Sequence, residues 1–475
     1  MTETLTPDIC VLGGGPGGLS VAAAAAAFGV PTVLIERSKM GGDCLNTGCV
    51  PSKALLAAAK RAESIRNAGS FGLHVQSTGV NFTKAHNHVH SVIAAIAPTD
   101  SAERFTALGV RVIHEHAAFK DRNTVTAGGT EIRARRFVVA TGSAPVVPPI
   151  VGLDNGPFLT NENIFDLKDR PEHLIIIGAG PVGLELGQAF RRLGSSVTVL
   201  EAAQPLANDD PECVAVLLDR LEREGIVIRC GVNVIGITHA GGAVTATIEA
   251  AGAEQTITGS HLLVAAGRRP AIDELHLDAA GIRYDRRGIV VNRSLKTSNW
   301  RVYAIGDCAA GHSPLTHAAN YHAGLVIRNA LFRLPVRANN SAVPWVTYTE
   351  PELAHTGLTE AQARARQINI RIARWPYNDN DRAQIERKTR GHIKVITTRQ
   401  GRIIGATIVG AQAGELIAMW TLAIAQGLNI RALTNVVLPY PTLSELGKRA
   451  AIDFFTPGLT NAWVRRIIGW MRIFG

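Results

Sequence analysis

Short apolar runs recur along the first two thirds of the chain, and most of them end in a glycine-rich turn. Such runs are typical of strands that are buried on both faces of a parallel sheet. The alanine-rich segment from Leu19 to Phe28 stops at Gly29, well short of the roughly 20 residues that cross a bilayer, and is interpreted as a buried helix. The predicted strands begin at Asp8, Thr32, Phe137, Leu174, Ser196, His261 and Val302.

Two of the glycine-rich turns are copies of each other. Gly13, Gly15 and Gly18 precede a predicted helix and a second strand that is followed by Glu36. A single GxGxxG motif is weak evidence of a nucleotide site, whereas two copies in register within strand, turn and helix are strong evidence. The same residues return 165 positions later as Gly178, Gly180, Gly183 and Glu201.

Each residue type in the repeated motif has a physical role. The first glycine makes a tight turn, the second lets the backbone approach a pyrophosphate, and the third lets the helix pack against the strand. The diphosphate then lies at a helix N-terminus, and Glu36 or Glu201 is placed to accept a hydrogen bond from a ribose 2′-hydroxyl. Glycine-rich turns that bind no ligand are the alternative interpretation.

Glu201 also bears on the choice of nicotinamide cofactor. Its carboxylate would repel a 2′-phosphate, and residues 202–206 contain no arginine that would bind one. NAD(H) is therefore expected to be favoured over NADP(H). Arg191 and Arg192 keep NADP(H) as an alternative, because arginine binds phosphate well.

The pattern changes after about residue 340. Apolar or alternating runs at Val343–Tyr348, His392–Thr398 and Ile403–Val409 predict strands with helices between them. The predicted fold class is therefore α/β, with two Rossmann-like dinucleotide-binding domains followed by a C-terminal α+β domain.

Cys44 and Cys49 lie five residues apart in the segment that follows the first nucleotide-binding motif. A disulfide that closes so short a loop removes little entropy from the unfolded chain, so a redox role is favoured over a structural one. Pro51 is predicted at the first position of a helix, whose N–H groups would lower the pKa of Cys49. The two cysteines are therefore a candidate pair for electron exchange.

Composition narrows the setting. The 475 residues carry a net charge of +10 and a pI near 9.5, but the basic residues are scattered and aromatic residues are only 5%, so no nucleic-acid partner is expected. Six cysteines do not form a secreted disulfide framework, and the N-terminus lacks a basic signal-peptide start, so a cytoplasmic location is expected. Cys10 and Cys230 are predicted to be buried core thiols.

Together these motifs make the chain resemble the class I pyridine nucleotide-disulfide oxidoreductases, the family of dihydrolipoamide dehydrogenase, glutathione reductase and mercuric reductase. The resemblance implies an FAD-dependent homodimer with an active site shared between subunits. Electrons would pass from NADH through FAD to a Cys44–Cys49 disulfide and on to an acceptor. The implied domains are 1–150 (first part of the FAD-binding domain), 151–275 (NAD(P) binding), 276–342 (central, completing the FAD site), 343–455 (dimerisation) and 456–475 (a basic amphipathic tail).

The resemblance also assigns roles to individual residues. Cys44 would be the thiol that meets the substrate, and Cys49 the thiol that faces the flavin. Lys53 and Glu185 match the ion pair beside the flavin N5, where a cation stabilises the reduced flavin. The remaining matches are cofactor contacts, with Thr141, Gly142, Asp307 and Ala318 for FAD and Gly267 for the nicotinamide nucleotide.

One feature of the family is changed in this chain. Disulfide-reducing members have a histidine near the C-terminus that handles the proton of the substrate thiol, oriented by a glutamate five residues on. Here Glu445 is present, but Tyr440 occupies the histidine position. A phenol with a pKa of about 10 is a poor base at neutral pH, so slow thiol–disulfide exchange is expected.

Mercuric reductases resemble the chain in having tyrosine at this position, but they also carry a C-terminal cysteine pair, and no cysteine follows Cys308. The candidate acceptors are therefore a disulfide, a metal ion such as Hg(II), or a quinone. The rival hypothesis is a redox-weakened flavoprotein that acts mainly as a membrane-associated or complex-forming partner.

Three histidines close together invite a metal-site interpretation. In the helix predicted around them only His86 and His90 share a face, His88 does not, and no carboxylate is near in sequence. No metal site is therefore expected.

The C-terminal tail has the pattern of an amphipathic helix. Such a helix either lies on an anionic membrane surface or packs on its own domain or on the dimer interface. Apolar Trp463, Ile467, Trp470, Met471 and Phe474 recur at helical spacing, with Arg465, Arg466 and Arg472 on the other side.

Overall fold

The computed structural model describes residues 3–76, 79–456 and 462–474. The chain divides into two compact units, each made of two segments. The first unit contains Met1–Ala203 and Val227–Asn340, and the second contains Gln204–Ile226 and Ser341–Gly475.

A five-stranded parallel sheet lies at the centre of the first unit. Its central strands are buried along almost their whole length, as expected for a sheet covered on both faces. The helix Pro16–Ala27 packs beside them with Leu19, Val21 and Ala25 buried, as predicted for the alanine-rich segment. The strand order is Val302–Ala304, Arg136–Val139, Ile9–Leu12, Thr32–Ile35 and Val110–Ile113.

A second sheet in the same unit repeats the arrangement. Ile9 pairs with Thr32 in the first sheet and Leu174 pairs with Val197 in the second, so the predicted duplication is confirmed at the level of strand register. The strand order of the second sheet is Ile226–Cys230, Ser196–Glu201, His173–Ile177 and His261–Val264.

Smaller sheets and helices complete the first unit. The additional strands are Glu3–Leu5, Ala117–Asp121, Thr124–Ala127, Thr130–Ile132, Ser143–Pro145, Asn233–Ala240, Ala243–Ala250, Ala253–Gly259, Arg268–Pro270, Tyr284–Asp285 and Gly288–Ile289. The additional helices are Gly42–Asn46, Cys49–Arg66, Phe82–Ile96, Ala102–Ala107, Pro181–Arg192 and Thr316–Ala330.

The second unit is an α+β structure with a five-stranded antiparallel sheet, and Trp420 is the largest side chain in its core. The strand order is Trp345–Thr347, Glu352–Gly357, Ile403–Gly410, His392–Thr398 and Ile370–Pro376. The helices are Pro211–Arg223, Glu360–Ala365, Asp381–Ile385, Ala413–Ala425, Arg431–Thr434, Glu445–Asp453 and Ala462–Met471.

A buried ionic cluster holds the helix Pro211–Arg223 in the second unit. Lys394, only 4% exposed, contacts Asp210 at 2.7 Å, Glu212 at 3.1 Å and Glu360 at 2.8 Å. Burial alone would lower the pKa of Lys394, but hydrogen bonds to these carboxylates raise it, so the ammonium group stays charged. Removing one partner from such a cluster would leave a buried charge uncompensated.

Candidate active site

The first and third glycines of each repeated turn are packed against the backbone. A Cβ atom added at Gly13 would lie 2.4 Å from the carbonyl oxygen of Ala140, and one added at Gly18 would lie 1.9 Å from that of Gly13. The second turn repeats both contacts, at 2.4 Å for Gly178 and 2.0 Å for Gly183. These positions therefore exclude a side chain.

The middle glycines face open space. A Cβ atom added at Gly180 would meet no heavy atom of the described residues within 4 Å, and one added at Gly15 would lie 4.0 Å from the nearest. Each middle glycine directly precedes a helix of 12 residues. The space beside each one fits the diphosphate of a dinucleotide, which the helix N-terminus attracts.

The two glutamates that follow these motifs stabilise the turns by accepting backbone hydrogen bonds. Glu36 accepts hydrogen bonds from the backbone N–H of Gly14 at 2.6 Å and of Ser38 at 2.7 Å. Sequence analysis did not find this role, and it leaves lone pairs on both oxygens for a ribose hydroxyl. Glu201 makes the equivalent bonds, accepting from Ala179 at 2.7 Å and Ala203 at 2.8 Å.

The segment that carries the cysteines is docked on the first turn. The N–H of Gly41 donates to the carbonyl of Gly14 at 2.9 Å. Gly42, at a φ of +59°, leaves no room for a side chain, because an added Cβ atom would lie 2.8 Å from the Cα atom of Gly15. The first dinucleotide turn therefore determines where Cys44 lies.

The next helix begins at Cys49 and not at Pro51, which was predicted as its first residue. Pro51 is the third helical residue, where a missing N–H still costs no intrahelical bond. Both cysteines are free thiols, and the Cys49 Sγ atom is 3.6 Å from the hydroxyl oxygen of Thr316, the first residue of another helix. Sequence analysis gave Thr316 no role.

The two thiols have opposite acidities. A hydrogen bond from Cys44 lowers the pKa of Cys49 to about 6, and the Thr316 hydroxyl and the Lys53 charge act in the same direction against burial. The same hydrogen bond, together with burial, raises the pKa of Cys44. At neutral pH the pair therefore holds its proton on Cys44 and its negative charge on Cys49.

Lys53 and Glu185 form an ion pair. Their Nζ and Oε2 atoms are 2.8 Å apart, and Glu185 is only 4% exposed. Lys53 lies one helical turn after Cys49, so its ammonium group also favours the Cys49 thiolate. The location of this pair beside a bound flavin stays a prediction.

The remaining residues matched to cofactor contacts lie in the first unit. Asp307 accepts a hydrogen bond from the Ser143 hydroxyl at 2.6 Å, and burial raises its pKa. Gly142 and Gly267 adopt positive φ angles of +70° and +115°, which favour glycine. Two further matches lie at element ends, Thr141 after the strand Arg136–Val139 and Ala318 in the first turn of Thr316–Ala330.

Tyr440, in the second unit, is 70% exposed and donates a hydrogen bond from its hydroxyl to Asp381 at 2.7 Å. This bond, the charge of Asp381 and the more distant charge of Glu445 raise the pKa of Tyr440. Glu445 begins the helix Glu445–Asp453. Sequence analysis had not found Asp381, which leaves even less phenolate to act as a base at neutral pH than the residue type implies.

Two further predictions concern the histidines and the remaining cysteines. His86 and His90 share a helix face with ring centroids 4.2 Å apart, and in the described part of the chain no three metal-ligating side chains are grouped to hold an ion. Cys10 is fully buried, but Cys230 is exposed and is not a core thiol. Cys230 ends an edge strand, where an apolar run does not guarantee burial on both faces.

Comparison with known proteins identifies the class. The family described as pyridine nucleotide-disulphide oxidoreductase matches residues 7–323, and its dimerisation domain matches residues 343–451. The chain belongs to this family, in class I, and is an NAD(P)H-dependent flavoprotein disulfide oxidoreductase with FAD as its cofactor. The predicted α/β fold with a C-terminal dimerisation domain is confirmed.

Individual relatives include two established enzymes. The chain is 34% identical to mercuric reductase from Bacillus cereus, covering 94% of this chain and 71% of that protein. It is 34% identical to dihydrolipoyl dehydrogenase from Geobacillus stearothermophilus, covering 95% of each.

Solved structures with the same fold include two flavoproteins. LpdA from Mycobacterium tuberculosis has a TM-score of 0.86 at 27% identity, covering 94% of this chain and 99% of that one. The HOCl-induced flavoprotein disulfide reductase RclA from Escherichia coli has a TM-score of 0.83 at 27% identity, with the same coverage.

In the chemically reduced protein, Cys49 is expected to ionise with a midpoint near pH 6, because its pKa is about 6. Cys44→Ala removes the hydrogen bond that lowers this pKa most, so the midpoint should rise by about one pH unit or more. Thr316→Val should raise it by less. The pH dependence of iodoacetamide alkylation at Cys49, measured by peptide mass spectrometry, tests both.

Ser64→Ala, an exposed change on the same helix, serves as the control and should leave the alkylation profile unchanged. A midpoint that stays near pH 6 in Cys44→Ala would contradict the assignment of the shared proton.

Proposed function

We propose that the chain is an NADH-dependent reductase in which the Cys44–Cys49 pair passes electrons to an acceptor, with a disulfide as the leading candidate. The observation that carries this proposal is the thiolate site itself. Cys49 follows the segment that Gly41 anchors to the first dinucleotide turn, its Sγ atom lies 3.6 Å from the Thr316 hydroxyl, and the Lys53 cation is one helical turn away. A structural cysteine pair would need none of these groups.

The glycine turns indicate where the cofactors would bind. We place FAD on the turn at Gly15, with Glu36 and Asp307 as further contacts, in residues 1–150 and 276–342. We place NADH on the turn at Gly180, with Glu201, in residues 151–275. When bound, FAD accepts a hydride from NADH and returns an electron pair to the disulfide.

Reduction of the disulfide takes up two electrons and one proton. The Cys44–Cys49 disulfide takes up the electron pair and one proton of the hydride, so the S–S bond breaks and yields a Cys44 thiol and a Cys49 thiolate. This is the charge state that the hydrogen bond between the two residues stabilises. Cys44 must then lose its proton to attack an acceptor disulfide, which releases one acceptor thiolate and leaves a mixed disulfide on Cys44. The Cys49 thiolate attacks the Cys44 sulfur, releases the second acceptor thiolate and restores the Cys44–Cys49 disulfide.

The proton of Cys44 is the expected bottleneck. In the family's homodimer the proton-handling residue comes from the other subunit, and here that position would be Tyr440 of the partner subunit. Only the phenolate form of tyrosine could accept the Cys44 proton, and the hydrogen bond to Asp381 keeps Tyr440 protonated at neutral pH. We infer that reduction of the pair is fast and that exchange with an external disulfide is slow.

A metal ion is the second candidate acceptor. Thiolates are soft ligands that bind Hg(II) and copper ions. Among the similar proteins are mercuric reductases, and RclA from Escherichia coli forms a Cu(II) complex. A metal ion bound by both sulfurs would lower the pKa of the Cys44 thiol and release its proton to solvent, so no side chain would be needed as the base.

Anaerobic titration with NADH should produce a long-wavelength absorbance band between the Cys49 thiolate and oxidised flavin. NADPH should require at least about tenfold more cofactor, about 1.4 kcal/mol, because Glu201 repels its 2′-phosphate. Cys49→Ser is the control in which the band should be lost. If wild type gives no band, the disulfide mechanism is wrong, and equal titration by NADPH would contradict the role of Glu201.

An acceptor panel with lipoamide, glutathione disulfide, Hg(II), Cu(II) and quinones separates the candidates. Tyr440→His restores a base with a pKa near 6.5, so lipoamide turnover should rise by about 10²-fold or more, with a pH profile that follows the imidazole. Tyr440→Phe removes only the hydroxyl and is the matched control. Unchanged lipoamide turnover in Tyr440→His would contradict the account of the proton.

We also propose that the C-terminal helix Ala462–Met471 contacts an anionic membrane surface. Trp463 and Trp470 are 71% and 62% exposed, while helical spacing puts Arg465 on the opposite face and Arg472 directly follows the helix. Interfacial tryptophan together with arginine is the pattern of helices that lie in the headgroup region. No helix in residues 3–76, 79–456 or 462–474 is long and apolar enough to span a bilayer.

Co-sedimentation with liposomes tests this contact. The full chain should bind vesicles that contain anionic lipid and release them at high salt, whereas a chain that ends at Pro457 should not bind. Vesicles of neutral lipid alone are the control. Equal sedimentation of the two chains would exclude the tail as a membrane contact.

A further inference from the structure

The residue directly before Cys44 is held by three side chains. Asp43 accepts a hydrogen bond from the Thr47 hydroxyl at 2.6 Å and from the Asn161 amide at 2.9 Å, and its second oxygen is 3.1 Å from the Arg268 guanidinium. Thr47 belongs to the loop between the two cysteines. The Asp43 carboxylate therefore holds the loop in place through hydrogen bonds and also puts a negative charge beside it.

The Arg268 guanidinium is fixed on every nitrogen. Its Nε atom donates to the Ser143 hydroxyl at 2.8 Å, one Nη atom donates to the Ser143 carbonyl at 2.8 Å, and the other donates to Asn161 at 3.3 Å. Arg268 begins the short strand that pairs antiparallel with Ser143–Pro145. A planar group held in this way cannot follow a moving carboxylate, so it fixes the position of Asp43.

The contacts continue to a second carboxylate. The Ser143 hydroxyl that Arg268 contacts donates in turn to Asp307 at 2.6 Å. One guanidinium thus lies between Asp43 beside the cysteines and Asp307, which follows the edge strand Val302–Ala304. All of these residues belong to the first unit.

The charged groups around the cysteine pair act in opposite directions. Lys53 on the helix of Cys49 favours a thiolate, and Glu185 offsets part of the Lys53 charge, while Asp43 opposes a thiolate with a charge that Arg268 partly compensates. The Asp43 charge raises the pKa of both Cys44 and Cys49. Asp43 is the group on the loop itself, adjacent in sequence to Cys44.

We propose that Asp43, fixed by Arg268, is a positioning residue that holds the loop between Cys44 and Cys49 and limits the negative charge which this cysteine pair carries. The inference deepens the proposed redox role of the pair and rests on it. Loss of the Asp43 charge would leave the Arg268 cation uncompensated beside the loop. The pair would then ionise at lower pH and hold a thiolate more readily.

Asp43→Asn is the direct test, because the amide keeps an oxygen for the Thr47 and Asn161 hydrogen bonds but loses the charge and the contact with Arg268. We expect the midpoint for iodoacetamide alkylation of Cys49 in the chemically reduced protein to fall by about one pH unit, up to about tenfold faster alkylation below the midpoint. Asp273→Asn, which neutralises the exposed pair with the adjacent Arg269, is the matched control and should leave the midpoint unchanged.

Arg268→Gln tests the direction in which charge moves the alkylation midpoint of Cys49. Removal of the cation should move the midpoint to higher pH, opposite to Asp43→Asn, whereas simple loosening of the loop would move both variants in the same direction. An Asp43→Asn profile that superimposes on wild type, or two shifts of the same sign, would overturn the proposal. Because the pair is reduced chemically, the result does not depend on whether NADH reduces it, so failure of the proposed function is seen separately.

Discussion

The close approach of backbone to backbone at the first glycine of each dinucleotide turn is the constraint on which the first unit depends. No side chain fits between Gly13 and the carbonyl of Ala140, so the turn packs directly on the backbone at the end of the neighbouring parallel strand. The same turn presents the Gly14 carbonyl to Gly41, which anchors the segment that carries the cysteines. The location of the redox pair is thus a consequence of a contact that only glycine permits.

Features set by neighbours in sequence could be predicted. The glycine spacing, the apolar strands and the 165-residue repeat each depend on a local pattern, and the sheets reproduce them with the same register. Thr316 and Asp381 could not be found in this way, because they act on residues 267 and 59 positions away along the chain. Nothing beside either residue in the sequence shows what it faces after folding.

Two local predictions failed for physical reasons that the sequence does not display. The helix start at Cys49 lies two residues before the proline that was taken to mark it, since proline is tolerated anywhere in the first turn. Cys230 follows an apolar run, but the run is an edge strand and one of its faces meets solvent. In both cases the type of element was predicted correctly, but the place of the residue within the helix or the sheet was not.

The charges around the pair separate its two thiols before any acceptor arrives. Lys53 favours the charge on Cys49, while the proton stays on Cys44 next to Asp43. The side chains that stabilise the thiolate of the reduced pair thus lie in the first unit. Tyr440 donates its own proton in the hydrogen bond to Asp381, and the proposed bottleneck in proton transfer rests on this contact.

The cluster around Lys394 has a consequence for synthesis. Asp210 precedes Lys394 by 184 residues, so at 5–20 residues per second roughly 10 to 40 s separate their appearance on the ribosome. During that interval the carboxylates at the start of the helix Pro211–Arg223 must stay hydrated, because the ammonium group that they surround has not been made. The helix Pro211–Arg223 therefore completes its packing only after the strand that carries Lys394 has left the ribosome.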